Sequence, residues 1–209
     1  MILIGQFDSP FVRRVGIALR LYGMPFEHRP WSTFGDADKI LPYNPLRRVP
    51  TLVLDDGEAL LESGAILDHL DEEAGPALAL IARSGPERRR ALKVCALAMG
   101  LADKAVSLFY ERNFHPQTSQ LWIDRCRSQI GEVLAVLEAG RATASGSWWF
   151  GPDMGHADIA VACALRFARD AHPDVVELAA FPALAAHSAR CEVLPVFQEI
   201  SQPFVPPSG

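Results

Sequence analysis

The sequence has no CxxC pair, no His-rich tract and no block of Lys or Arg. No stretch approaches the roughly 20 apolar residues that a membrane helix needs, and the most apolar long run, 91–102, contains Lys93. Each absence narrows the field. Cys95, Cys126, Cys163 and Cys191 are far apart, with no His at metal-ligand spacing. They read as small buried hydrophobes in helical patterns, with zinc ligation or a disulfide as the alternatives, and no metal site is expected. A net charge of −5 without a basic patch argues against nucleic acid and an anionic membrane as partners. The opening MILIGQFDSPF lacks a basic start and its apolar run breaks at Gly5, so no targeting segment is expected and the chain is read as soluble and cytoplasmic. Its 209 residues can fill one large domain or two modest ones, and 49% hydrophobic with 22% charged residues excludes only disordered and fibrous classes.

What is present begins with short alternating segments. Ile2–Ile4 is an apolar run bounded by Gly5 and reads as a buried strand. Over 10–22 the residues Val12, Val15, Ala18, Leu19 and Tyr22 share one helical face, and Arg13, Arg14 and Arg20 are expected largely opposite. Gly23 and Pro25 stop this helix. Residues 26–30 read as a second strand, and 36–41 as one or two helical turns. TLVLDDGEALLES is the clearest local signal: strands at 51–54 and 58–61 flank Asp56-Gly57, a dipeptide suited to the positive-φ turns of hairpins. A helix over 64–73 follows. Strand–helix–strand predicts parallel pairing and the hairpin adds antiparallel strands, giving a small mixed sheet covered by helices. Pro76, Gly85 and Pro86 mark a linker, and beyond it only helical patterns recur, at 87–111, 118–139, 158–168, 181–190 and 194–200. The tail PFVPPSG is expected to be extended and frayed.

Three features carry chemistry. Ser9-Pro10 opens the first helix as N-cap and first helical residue, and a hydroxyl with free N–H groups at a helix N-terminus also favours an anion, a thiolate included. Pro50 precedes the third strand in RRVPTL; a trans bond is the commoner form, but a cis bond here would turn the Val49 backbone outward to pair with a peptide-like ligand. Glu62-Ser63 joins the hairpin to the next helix. Ser63 is expected to cap that helix, whose N-terminus suits a carboxylate, while Glu62 suits an ammonium group, so the pair matches an α-amino acid end. Plain capping with a solvated Glu is the alternative.

The order of these features, in the motifs SPFVRRV, NPLRRVPTLVLDDG and LLESGAILDHL, resembles the glutathione transferase superfamily in detail over 1–73, and GHADIAVA extends the likeness in outline to the helical part. The resemblance implies an α/β thioredoxin-like N-terminal domain at 1–76 with a mixed four-stranded sheet, a linker at 77–86, and an all-α C-terminal helical bundle at 87–209. It implies glutathione as co-substrate, a small electrophile as second substrate and a two-fold homodimer. Ser9 matches the residue that activates the glutathione sulfur in serine-type classes, a cysteine in the redox classes. Val49 matches the backbone that pairs with the cysteinyl part, Pro50 the cis-proline, Glu62 and Ser63 the holders of the γ-glutamyl end, and Arg48 a basic position near the glycyl carboxylate. Phe11 falls beside the glutathione site. The second substrate is expected between the domains, lined by Phe7, Phe109, Tyr110 and Arg112, with Phe11 and Trp122 further candidates and simple core packing the alternative. Asp103 is a candidate to reach the partner's glutathione. In the core helix the family's capping Ser or Thr is replaced by Gly155, three residues before Asp158. The implied activity is thiolate attack on the electrophile. A non-catalytic glutathione-transferase-like binding or regulatory protein, and a glutathione-dependent peroxidase or reductase, are the rival readings.

Overall fold

The computed structural model describes residues 1–206. The chain divides into two compact units. In the first, β1 (Ile2–Ile4), α1 (Pro10–Leu21), β2 (Glu27–Arg29), α2 (Ala37–Ile40), β3 (Thr51–Val53), β4 (Ala59–Leu61) and α3 (Ser63–Ala74) follow in order. The sheet runs β2-β1-β3-β4: β1 pairs parallel with β2 and antiparallel with β3, and β3 pairs antiparallel with β4. Alternation within each strand divides the core. Leu3 and Leu52, opposite each other, face α1 and α3 and pack with Val12, Val15, Ala18, Leu19, Ile66, Leu67 and Leu70. Ile4 and Val53 face the other way and pack with Ile40 of α2.

α1 ends as its sequence dictates. Gly23 takes φ 67°, its N–H reaches the Arg20 carbonyl at 3.1 Å, and the Met24 N–H reaches Leu19 at 3.0 Å. This pairing satisfies two of the four carbonyls a helix end leaves open. The arginines of α1 depart from expectation. Arg13 and Arg14 are only 3% and 5% exposed, not on a solvent face. Arg13 donates from Nε to the Ile200 carbonyl at 2.8 Å and from Nη2 to that of Phe197 at 2.9 Å. Its guanidinium also lies over the Phe197 ring, 5.4 Å from the centroid. α8 (Pro195–Glu199) and residues 200–206 thus group with the first unit, and the helical unit spans Ser84–Val193. The final residues of the expected extended tail, 207–209, lie outside the described ones, and 201–206 have no regular structure.

The second unit holds α4 (Gly85–Phe114), α5 (Gln120–Ala142), α6 (His156–Ala171) and α7 (Pro182–Glu192), with one 3₁₀ turn at Leu178–Ala180. α6 is buried on most sides and packs against α4 and α7, while α5 packs against α4 and α7. Gly155 caps α6 without a side chain, and Asp158 supplies the other half of the capping box. Its buried carboxylate accepts from the Gly155 N–H at 3.0 Å and from the Trp149 N–H at 2.9 Å. Glu138 of α5 caps α7 from outside, accepting from the N–H groups of Ala183 and Leu184, both at 2.9 Å. All four cysteines are buried thiols outside any disulfide. Among the described residues no helix is long and apolar enough to cross a membrane, and no three His, Cys, Asp or Glu side chains gather as a metal ligand set.

Candidate functional site

Ser9 sits at the start of α1 with extended backbone, φ −67° and ψ 123°, and its Oγ accepts from the Val12 N–H at 3.4 Å. That contact is long for a hydrogen bond, so the hydroxyl, half-buried, is weakly held by its own helix. The preceding turn is tightly fixed. Gly5 takes φ 129°, and a Cβ there would stand 2.5 Å from Val12 Cγ2 and 2.8 Å from Val49 Cβ. Only glycine lets the end of β1 pass between α1 and Val49. His28 Nε2 lies 2.8 Å from the Gly5 carbonyl, and the His28 ring stacks on Phe7 at 3.8 Å. Asp8 stands beside Ser9 with its carboxyl pushed above the usual range by burial, against the lowering effect of backbone N–H groups of Ser9, Asp8 and Val205.

The Val49–Pro50 bond is cis. The approach to it is held by Asn44, which the sequence reading did not single out. Buried Asn44 donates to the Arg48 carbonyl at 2.9 Å and to Thr51 Oγ1 at 3.1 Å, and its Oδ1 accepts from the Leu46 N–H at 3.0 Å. The Asn-Pro pair at 44–45, a common turn initiator, was the signal that pointed there. Arg48 is exposed and lies 3.5 Å from Glu62, so the residue expected near one end of a bound tripeptide meets the residue expected at the other.

Glu62 adopts φ 66° and ψ 121°. A non-glycine residue in this region costs about 1–3 kcal/mol and persists where the surroundings enforce it, most often at functional sites. Glu62, not Ser63, is the N-cap residue of α3, and its side chain makes no cap bond. Ser63 is already helical and buried, and its Oγ accepts from Arg14 instead of capping: from Nε at 3.0 Å and Nη2 at 2.7 Å. Two donors occupy the acceptor capacity of this oxygen, which leaves its own proton to be given elsewhere. Arg14 is a second residue the sequence reading missed; the contact spans 49 positions in sequence and no local pattern reveals it.

The contacts join these pieces. Gly5 ties the Ser9 turn to Val49, the Arg48–Glu62 pair ties the Val49 segment to the start of α3, and Arg14–Ser63 ties α1 to α3. Phe11, on the first turn of α1, is half-buried. Phe7 is engaged in packing: its ring also reaches 2.9 Å from where a Gly16 Cβ would stand.

In the second unit, Phe109, Tyr110 and Phe114 form an edge-to-face cluster near the end of α4, with Phe109 buried and Tyr110 39% exposed. Arg112 makes a forked pair with Asp174 at 3.1 and 3.0 Å and donates toward His172 Nδ1 at 3.3 Å. The guanidinium holds the Asp174 carboxyl below its usual range. Trp122 packs against α4, donating to Ser107 Oγ at 3.2 Å with Lys104 over its ring. Arg112 and Trp122 thus already have structural partners.

Residues 3–78 match the glutathione S-transferase N-terminal domain family and residues 120–190 the glutathione S-transferase C-terminal domain family. A maleylacetoacetate isomerase of Pseudomonas aeruginosa is 32% identical over 215 aligned residues, covering 95% of this chain and 97% of the relative. A glutathione S-transferase from Methylobacterium radiotolerans, solved in complex with glutathione sulfonate, superimposes with a TM-score of 0.89 at 28% identity, covering 100% and 99% of the two chains. A glutathione transferase family member from Pseudomonas fluorescens, solved with bound glutathione, gives 0.85 at 32% identity, covering 97% and 99%. The fold is that of these proteins, and the chain belongs to the glutathione S-transferase superfamily.

Proposed function

We propose that this protein binds glutathione in its first unit and presents the sulfur as a thiolate for attack on a small electrophile. The observation that carries this reading is the start of α3, where a strained Glu62 and a hydroxyl pinned by Arg14 stand at a helix N-terminus. A γ-glutamyl group carries an ammonium for Glu62 and a carboxylate for the Ser63 proton and the first N–H groups of α3. The Val49 backbone is proposed to pair with the cysteinyl part in the manner of an added strand, with Arg48 toward the peptide's charged groups and Phe11 beside it. The sulfur then falls to Ser9. Its hydroxyl and the start of α1 favour the thiolate. Lowering a thiol pKa from about 8.5 to about 6.5 requires about 2.7 kcal/mol, within reach of a hydroxyl hydrogen bond and a helix terminus together. The thiolate forms the new C–S bond, the electrophile's leaving group departs with its electron pair, and positioning supplies much of the rate.

Phe109 and Tyr110 are proposed to line the site of the second substrate. A second copy of the chain is the proposed partner, and the reducing cytoplasm the proposed setting. The likeness to an isomerase over nearly the whole chain favours one further reading: the thiolate adds to an unsaturated substrate, a bond rotates, and the same thiolate leaves without net conjugation. Calorimetry with glutathione, followed by turnover with an aryl halide, an epoxide, a hydroperoxide and a cis-unsaturated ketone, tests these readings. Failure to bind glutathione would end all of them, and conjugate formation would separate transferase from isomerase.

A further inference from the structure

The segment after α8 runs beside α1 toward its N-terminus. Glu199 pairs with Arg20 at 2.8 Å, Ile200 accepts from Arg13, and Val205 reaches the Asp8 carboxylate through its N–H. Between them, Gln202 Oε1 accepts from the Phe7 N–H at 3.3 Å, across 195 positions of sequence. The Phe7 N–H and the Gln6 carbonyl are the two ends of one planar peptide unit. That carbonyl accepts from the Ser9 N–H at 3.2 Å. A continuous relay therefore runs from the Gln202 side chain, through the 6–7 peptide, to the backbone of Ser9. Hydrogen bonding at one end of an amide polarises the other end and fixes the plane of both.

We infer that Gln202 is a positioning residue for the sulfur site, holding the Gln6–Phe7 peptide so that Ser9 presents its hydroxyl to the bound thiolate. The C-terminal segment is then a working part of the site and not a loose end. Other bonds hold the flanks: Gly5 is fixed on both sides, by the Arg29 carbonyl at 2.9 Å and by His28, and Arg13 anchors the segment through Phe197 and Ile200. Losing Gln202 should loosen the turn at its middle without unfolding either flank. This role rests on the assignment of Ser9 given above.

Three variants of the full chain test it. Gln202→Met keeps length and packing but removes the acceptor, Gln202→Glu keeps an acceptor at the same reach, and Gln202→Ala removes both. Amide hydrogen exchange at Phe7 in the free protein should accelerate in Gln202→Met and stay slow in Gln202→Glu. In the glutathione complex, the thiolate absorbance of Gln202→Met should titrate at higher pH than wild type and kcat should fall about 3- to 10-fold, the loss expected for one neutral hydrogen bond. KM for glutathione should hold and Gln202→Glu should recover most of the rate. A residue that serves stability alone would move the melting temperature and leave the thiol titration in place. Superimposed titrations of wild type and Gln202→Met, with glutathione bound in both, would overturn the role of Gln202 while leaving Ser9 standing. A wild type that does not bind glutathione at all would overturn the reading of the site and this role with it.

Discussion

The Ser63 hydroxyl accepts two hydrogen bonds from the Arg14 guanidinium, at 3.0 and 2.7 Å, inside the first unit. A charged donor on a buried hydroxyl is worth about 1.5–3 kcal/mol. Arg14→Met should destabilise the fold by about that amount and also weaken glutathione binding, because the Ser63 proton is no longer directed outward. Ser63→Ala should weaken glutathione binding by about 1–3 kcal/mol. If the two act through one another, the double variant will lose less affinity than the sum of the singles. Calorimetry on the four proteins measures this, and strict additivity would separate Arg14 from ligand binding.

Glu62 makes the opposite prediction for stability. Its φ of 66° suits glycine. Glu62→Gly should therefore leave the protein as stable or more stable by about 1 kcal/mol, whereas Glu62→Ala keeps the backbone cost. Both should lose affinity for glutathione through the missing carboxylate. Chemical denaturation combined with calorimetry separates the two effects, and a Glu62→Gly protein that binds glutathione as wild type does would remove Glu62 from the clamp.

Ser9 carries two separable roles. As a cap, its loss should cost about 0.5–2 kcal/mol of stability; the long 3.4 Å contact with Val12 places Ser9→Ala toward the lower end. As the sulfur ligand, its loss should raise the pKa of bound glutathione and lower turnover with binding nearly intact. The thiolate absorbance of the complex, followed against pH, decides between them. Coincident curves for wild type and Ser9→Ala would leave a helix cap and nothing more.

His187 gives a pH dependence of known sign. It is buried, with Nε2 3.2 Å from the Asp158 carbonyl, Nδ1 3.8 Å from the Asp158 carboxylate and Cys191 Sγ at 3.7 Å. Burial brings its pKa down to about 4, and the charges of Arg141 and Arg190 act in the same direction. The unfolded chain, with an ordinary His pKa near 6.5, takes up the proton first. The stability from keeping this ring neutral is complete above about pH 6.5 and is lost as pH falls toward 4, about 3 kcal/mol over the window. Asp158, whose carboxyl burial pushes upward, contributes with the opposite slope. Urea unfolding from pH 7 to pH 4 should show a shallower loss in His187→Gln than in wild type.

The strands and helices of the first unit were legible because each is closed by a residue of fixed habit: Gly5 after β1, Gly23 after α1, Asp56-Gly57 between β3 and β4. The proposed site residues Ser9, Val49-Pro50 and Glu62-Ser63 could be singled out because they lie at element ends, where capping and turn chemistry leave a local mark. What supports them was not legible. Arg13 and Arg14 read as surface charges because α1 alone has an apolar stripe, and the carbonyls that bury Arg13 come from 184 and 187 positions away. The positive φ of Glu62 has no sequence signature, since glutamate does not favour it. The helical unit was read from periodicity alone, which placed its helices but not the short 3₁₀ turn at Leu178–Ala180.

The burial of all four cysteines has a practical consequence. Burial raises the Cys191 thiol far above the ordinary range, and a thiol that stays protonated is a poor nucleophile. The native protein should be nearly silent to a disulfide reagent or an alkylating label, so its own thiols should add little to the labelling of glutathione in the complex. Unfolding exposes four thiols, and mass-resolved labelling would then count openings of the helical unit alone: Cys95, Cys126, Cys163 and Cys191 all report on it and none on the first.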